Sequence, residues 1–273
     1  MDIRKYIKSP EDFVVKEIID EKFLRKYKRT GKCIEKMSGD YTLFLVRKRN
    51  MTTEEAVKII AKIFGVSEKS VGYAGLKDKF AVTEQYMTIK KYIKPVKEEN
   101  LEVIIIGKIN RHIGIGDLIK NEFEITLHNV SNTKKIIENT KKIEKSGMKN
   151  FFGPQRFGIN KNNHIIGRYL AEKKFREAEK LLGRKPTKKR LKFYINAYQS
   201  FLYNKELKKT KKAFLEIKPI RIPEIRIECR GGKRETVIKT GKIDYEAKNK
   251  SIKLYFFLPK GSYATALLEQ IGL

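Results

Sequence analysis

The run from Gly72 to Gln85 constrains this chain more than any other stretch. It reads Gly-Tyr-Ala-Gly-Leu-Lys-Asp-Lys-Phe-Ala-Val-Thr-Glu-Gln. Glycines at its head suit a tight loop, and the residues after Phe80 alternate with period two. Ala81, Thr83, Gln85, Met87 and Ile89 fall on one face, with Val82, Glu84, Tyr86 and Thr88 on the other, the pattern of a β-strand. A strand leaving a glycine-bearing loop aims whatever the loop carries. Here it carries one carboxylate, Asp78, between Lys77 and Lys79, whose charges favour its ionised form. On these residues alone, Lys-Asp-Lys is most simply a solvated turn.

Charge indicates what such a chain meets. Among 273 residues there are 62 Lys and Arg against 32 Asp and Glu, a formal net charge of +30. An excess of this size on a chain with 40% hydrophobic residues predicts a folded protein with a polyanionic partner, nucleic acid or an acidic membrane surface. No apolar run approaches the length of a membrane span, and the first residues lack the apolar core of a signal peptide. The reading is therefore a cytoplasmic protein that binds nucleic acid, with no membrane role and no protein partner indicated. Cys33 and Cys229 lack CxxC partners, and His112, His128 and His164 lack ligand spacing, so no metal site and no disulfide framework are expected.

Ser9 to Ile18 reads as a proline-preset turn entering a strand. Tyr41 to Val46 is a second strand. Thr52 and Glu55 form a capping box that opens a helix, Gly65 ends it, and Ala56, Ile59, Ile60, Ile63 and Phe64 make its core stripe. Val103 to Ile106 is a short apolar strand, followed over Gly107 to Gly116 by a basic, glycine-containing loop with Lys108, Arg111 and His112. Asn121 to Leu127 alternates as a strand, and Lys134 to Ser146 reads as a helix. Asn150 to Gly158 packs three aromatics and an arginine between glycines, a constrained loop. From His164 to Leu182 and from Leu191 to Lys209 the period is helical, the second helix presenting Leu191, Tyr194, Ile195, Tyr198, Phe201 and Leu202 on one face, with Tyr198 and Phe201 as packing residues. Basic residues crowd Gly183 to Arg190, and Arg230 to Arg234 reads as a two-glycine hairpin turn between strands Glu224–Cys229 and Glu235–Lys239. Lys253 to Leu258 is the last strand.

Several of these stretches share a family. Gly75-Leu76-Lys77-Asp78-Lys79-Phe80-Ala81-Val82-Thr83-Glu84-Gln85 resembles the G-x-K-D-x-x-A-x-T-x-Q motif of the tRNA pseudouridine synthase D (TruD) family. Pro10 to Ile18 resembles its opening P-E-D-F-x-V-x-E-I, and Lys120 to Ile125 its G-N-x-F-x-[IL] element, with lysine in place of the glycine. Asn150 to Gly158 resembles N-[YF]-F-G-x-Q-R-F-G, Ala197 to Asn204 a helical signature, and Leu258 to Thr265 the closing L-P-x-G-S-[FY]-A-T. Together they run in the family's order from Pro10 to Leu268, and the chain resembles a short, archaeal-type member.

The resemblance implies an α+β fold: a catalytic domain on a mixed, mostly antiparallel sheet (1–159 and 221–273) and a small, mainly helical inserted domain (160–220). It implies isomerisation of a uridine in tRNA, position 13, to pseudouridine without a cofactor. Asp78 is then the catalytic residue, and Phe123 stacks on the target base beside Asn121. Glu17 and Lys8 lie near the uridine pocket, although an ungapped match places Ile7 at the lysine position. Lys77 or Lys8 is the basic partner of Asp78, and Arg156 contacts phosphate or carboxylate. Two further readings are a non-catalytic basic RNA-binding protein and a pseudouridine synthase acting on another RNA.

Overall fold

Nine strands of alternating or continuous apolar residues pair into one mixed sheet. In chain order they are β1 (Phe13–Ile19), β2 (Tyr41–Arg49), β3 (Val71–Tyr73), β4 (Val82–Ile89), β5 (Val96–Glu98), β6 (Leu101–Ile109), β7 (Leu118–Leu127), β8 (Asp244–Lys248) and β9 (Ser251–Pro259). Their spatial order is β8-β9-β7-β1-β4-β2-β6-β5, with β3 also on β4. Only β1 and β4 run parallel; every other pair is antiparallel, giving the expected α+β class. This computed structural model describes residues 3–20, 39–114, 116–183 and 186–273. Cys33 and, in the basic stretch, Arg184 and Lys185 lie outside the described residues.

The chain divides into two compact units, one holding the sheet (2–134 and 241–260) and one holding 135–240 and 261–273. The stretch 160–220 lies within the second. In the sheet unit, helix α1 (Thr53–Phe64) has the expected ends. Thr52 Oγ1 accepts from the Glu55 amide at 3.1 Å, the Glu55 carboxylate accepts from the Thr52 amide at 2.7 Å, and Gly65 stops the helix at φ +62°. Ala56, Val57 and Ile60 bury against Phe44, Val46, Met87, Ile89 and Val103 of the sheet. Ile63, expected in that stripe, is 41% exposed at the edge of the buried face, which runs on through Phe64.

β6 is longer than expected, Leu101–Ile109, and takes in the first residues of the expected basic loop. The β2–β6 ladder shifts register between Leu43 and Phe44, and Gly107 pairs with Leu43 beyond the shift. A glycine inside a strand suits such an irregularity. Further on, Arg111 is bidentate to Asp117 at 2.8 and 2.5 Å, and His112 Nδ1 lies 3.1 Å from the Thr88 hydroxyl.

The other unit is mainly helical, with α2 (Thr133–Ser146), α3 (Asn163–Ala171), α4 (Phe175–Leu182), α5 (Lys188–Leu207) and α6 (Ala264–Ile271). The helical period from His164 to Leu182 is two helices, broken where Lys173 takes φ +59°. α3 and α5 approach closely at Gly167, where a Cβ would stand 2.0 Å from the Tyr194 carbonyl. α5 buries Tyr194, Ile195, Ala197, Gln199, Ser200, Tyr203 and Leu207. Phe201, expected to pack, is 38% exposed and stacks on His164 with centroids 4.4 Å apart; Leu202 is exposed too.

The hairpin expected across Arg230–Arg234 does not form. Ile227–Cys229 pairs with Ile220–Ile222, and Gly232–Glu235 is itself a strand on Phe214–Ile217. Glu224 sits in a 3₁₀ turn, Pro223–Ile225, and Val237–Ile238 pairs with Met148–Lys149. The physical reason lies at Gly231: a Cβ there would stand 2.0 Å from the Ile217 carbonyl, so the glycine admits a close backbone approach.

Candidate active site

Asp78 lies on the loop between β3 and β4, and five other elements of its unit fix the residues around it. Lys77 is the central fastener. Its ammonium forms an ion pair with Glu17 Oε1 on β1 at 2.8 Å, where both side chains are almost fully buried. The same ammonium donates to Asn121 Oδ1 on β7 at 2.7 Å. The other Glu17 oxygen accepts from the Tyr86 amide on β4 at 3.0 Å. Burial pushes the Glu17 carboxyl up and Lys77 opposes it, so pairing is what permits a charge at this depth.

From the helix side, Thr53 Oγ1 accepts from the Lys77 amide at 2.9 Å and donates to Gln85 Oε1 at 2.9 Å. Gln85 Nε2 then donates to the Gly75 carbonyl at 3.3 Å. Gln85 thereby ties the strand back to its own loop, a bond that sequence spacing alone does not announce. The Thr83 hydroxyl, also buried, has no hydrogen-bond partner.

Lys48 carries no signal in the sequence. It stands on β2, opposite Thr83, and is only 1% exposed. Its ammonium donates to the Asp78 carbonyl at 3.1 Å and to the Met51 carbonyl. Burial lowers its pKa to about 8, partly opposed by the charge of Asp78. The expected strand stops at Val46; the observed one continues to Arg49, and its alternation carries Lys48 onto the buried face of Phe44 and Val46.

Asp78 itself keeps access to solvent. Protein packed around the loop pushes its carboxyl above the ordinary range, while Lys48 first and Lys77 second pull it down. Leu76 and Phe80 beside it are exposed.

Of the other residues singled out in the sequence, Asn121 joins this network and Phe123 lies two residues further along β7. Phe123 is 6% exposed, stacked on Phe256 at 5.2 Å and edge-on to Phe13 at 6.3 Å. Lys8 is exposed, and its backbone amide donates to Asp12 Oδ2 at 2.6 Å, while Ile7 is buried. Arg156 lies in the helical unit, on the 3₁₀ turn Pro154–Phe157, where Nη2 donates to the Tyr263 hydroxyl at 3.2 Å. Its segment is clamped by Asn204, which accepts from the Phe152 amide and donates to the Phe152 carbonyl, each at 2.9 Å. Thr265 of the closing motif donates to Gln155 at 3.0 Å, so two of the sequence motifs meet here.

The family model described as tRNA pseudouridine synthase D (TruD) matches residues 3–193 and 211–271. The chain belongs to the tRNA pseudouridine synthase D family. A family relative from Sulfurimonas denitrificans is 41% identical over 202 residues, 72% of this chain and 51% of that protein. One from Aquifex aeolicus is 29% identical over 392 aligned positions, covering 99% of this chain and 98% of its own. A crystal structure titled as a putative tRNA pseudouridine synthase D from Methanosarcina mazei superposes with a TM-score of 0.68 at 20% identity, over 97% of this chain and 92% of that one, and shares the fold. In its first matches the chain spans about half the length of the curated relatives. The 392 aligned positions exceed the 273 residues here, so the Aquifex protein carries extra residues inside the aligned span.

Proposed function

We propose that this chain converts a uridine of tRNA, position 13 by family resemblance, to pseudouridine, with Asp78 as the catalytic carboxylate. The reaction breaks N1–C1′, turns the detached base and joins C5 to C1′, and the proton on C5 leaves in the process. The reading rests on one observation: a solvent-accessible carboxylate on a loop fastened by Glu17, Lys77, Asn121 and Lys48. Most of these fasteners are buried, and holding an exposed acid this firmly suits a group that must meet one atom of a substrate. Asp78 acts as nucleophile, at C1′ or at C6, or as the charge stabiliser. Lys48 and Lys77 favour its charged form against the burial that opposes it.

The uridine must leave its stack to reach Asp78, at a cost of a few kcal/mol. Phe123 is the aromatic platform on our proposal, with Asn121 fixing the base edge and Glu17 holding Lys77 behind it. Lys8 and Arg156 serve the RNA backbone. Lys188 to Arg190 occupy the first turn of α5, where cations oppose the helix dipole, and a phosphate there would offset that cost. We take 160–220 as a shortened inserted domain, in keeping with the extra residues of the longer Aquifex relative. Acting on tRNA would place the protein in the cytoplasm.

Incubation with C5-tritiated tRNA tests the reading. Stoichiometric tritium release is expected; tight binding without release would leave an RNA-binding protein, and release only from another RNA would change the substrate.

A further inference from the structure

In the helical unit, a recess of about 300 Å³ is lined by Arg156, Arg230, Lys233 and Arg234, with Asn196 and Gln199 among its polar walls. That volume is at the small end of ligand sites. Among the described residues, no carboxylate lines it. Glu216 lies opposite Lys233 in the strand ladder without entering the recess. Four cations converging without an acid repel one another, and the arrangement needs a reason.

Uncharged contacts hold Arg156, Lys233 and Arg234 there. Arg234 Nη2 donates to Asn150 Oδ1 at 2.6 Å and to the Gly261 carbonyl at 3.0 Å, and its guanidinium lies 4.2 Å from the Phe152 ring centre. Arg156 lies 5.6 Å from the same ring, and its Nε is buried without a hydrogen-bond partner. Lys233 stands over Phe214 at 4.5 Å. Gln199 Nε2 donates to the Lys218 carbonyl at 2.7 Å and the Arg230 carbonyl at 3.4 Å, fixing the backbone of the connection that bears Arg230. Aromatic faces and backbone carbonyls orient the guanidinium groups while leaving their charge uncompensated. Burial, and more weakly the neighbouring Arg156, act against the charge on Arg234, which a guanidinium nevertheless keeps.

We infer that this recess seats one phosphodiester of the bound RNA backbone, with Arg156 and Arg234 as its fixed wall and Arg230 and Lys233 as its exposed rim. An oxyanion supplies acceptors to planar guanidinium donors and removes the mutual repulsion. The RNA assignment rests on the reading of tRNA as substrate. The site fixes register along the strand and has no part in the bond exchange.

The test uses the full chain with Arg230→Ala/Lys233→Ala, both exposed positions, and Arg230→Gln/Lys233→Gln as a second variant that keeps polar side chains. Affinity for a tRNA transcript is measured by fluorescence anisotropy from about 50 to 200 mM KCl. One lost phosphodiester contact lowers the slope of log affinity against log salt by about 0.9. That shift in both variants, with unchanged melting temperatures, is the expected result. An unchanged slope overturns the proposal. A second arm titrates inorganic phosphate and follows thermal stabilisation: if phosphate protects the wild type and not the variants while the tRNA slope stays fixed, the recess holds a free anion and the RNA assignment is wrong. Tritium release by the wild type is scored separately. A slope shift without release keeps this site and removes the enzymatic reading.

Discussion

Beneath Asp78 almost every buried charge has a partner; around the Arg156–Arg234 recess, charges of one sign stand together with no carboxylate among the described residues that line it. Glu17 and Lys77 neutralise each other in the sheet unit and spend their hydrogen bonds on Asn121 and Tyr86. Arg156, Lys233 and Arg234 are held by rings and carbonyls, and Arg230 joins them through its anchored backbone. On the proposed function, the difference separates two tasks. Placing one carboxylate at one atom needs an internally satisfied scaffold, whereas gripping a polyanion needs charge that the protein has left unsatisfied.

Breaking the paired region should cost the most. Lys77→Met leaves Glu17 buried without its counter-charge and should lower stability by about 3–5 kcal/mol, read as a drop in urea midpoint. Glu17→Gln in the same protein should recover part of it, because the stranded charge is gone. If the single variant unfolds at the wild-type midpoint, the pair is not what fastens the loop.

Phe123→Ala comes next. Its ring is packed on Phe256 and Phe13, so truncation should cost about 3–5 kcal/mol. Phe201→Ala, on the exposed ring of the helical unit, should stay within about 1 kcal/mol. If Phe123 also carries the base, single turnover at low temperature falls by a further factor of about five to 150 in the Ala variant, from lost stacking of about 1–3 kcal/mol. Phe123→Tyr should retain activity. Normal turnover by a folded Phe123→Ala protein would assign the ring to the core alone.

Lys48 gives the comparison a pH axis. Its folded pKa, about 8, lies below its ordinary value of 10.5. Between those values the unfolded chain holds a proton that the folded chain has released, so stability rises with pH across the window. The gain relative to Lys48→Met should be about 3 kcal/mol between pH 8 and 10.5. Parallel stability curves for the two proteins would contradict the buried ammonium. The smallest effect belongs to the helical unit: Lys188, Lys189 and Arg190 changed to Ala should flatten the salt dependence of tRNA binding by about two to three counterions with little change in melting.

Much of the sheet was legible because local signals agreed. Thr52, Glu55 and Gly65 bound one helix without ambiguity, and period-two alternation located β1, β4 and β7. Lys77 and Asp78 stood out through their motif. Lys48 did not, since the apolar run ends at Val46 and the strand carries the lysine two residues further along the same buried face. In the helical unit the turn chemistry of Gly231 and Gly232 misled, because a glycine serves a close backbone approach as readily as a hairpin. Phe201 misled for a related reason: a helix 20 residues long need not bury its most apolar stripe when small residues such as Ala197 and Ser200 allow closer packing.

Asp78→Asn tests the central claim most directly. The substitution keeps the shape of the side chain and removes its charge. In single turnover with C5-tritiated tRNA, the expected result is loss of tritium release while tRNA affinity stays within about threefold, since one acidic group matters little to phosphate binding by a chain of net charge +30. Release at more than about a tenth of the wild-type rate would show that the exposed carboxylate on this braced loop is not the catalytic group.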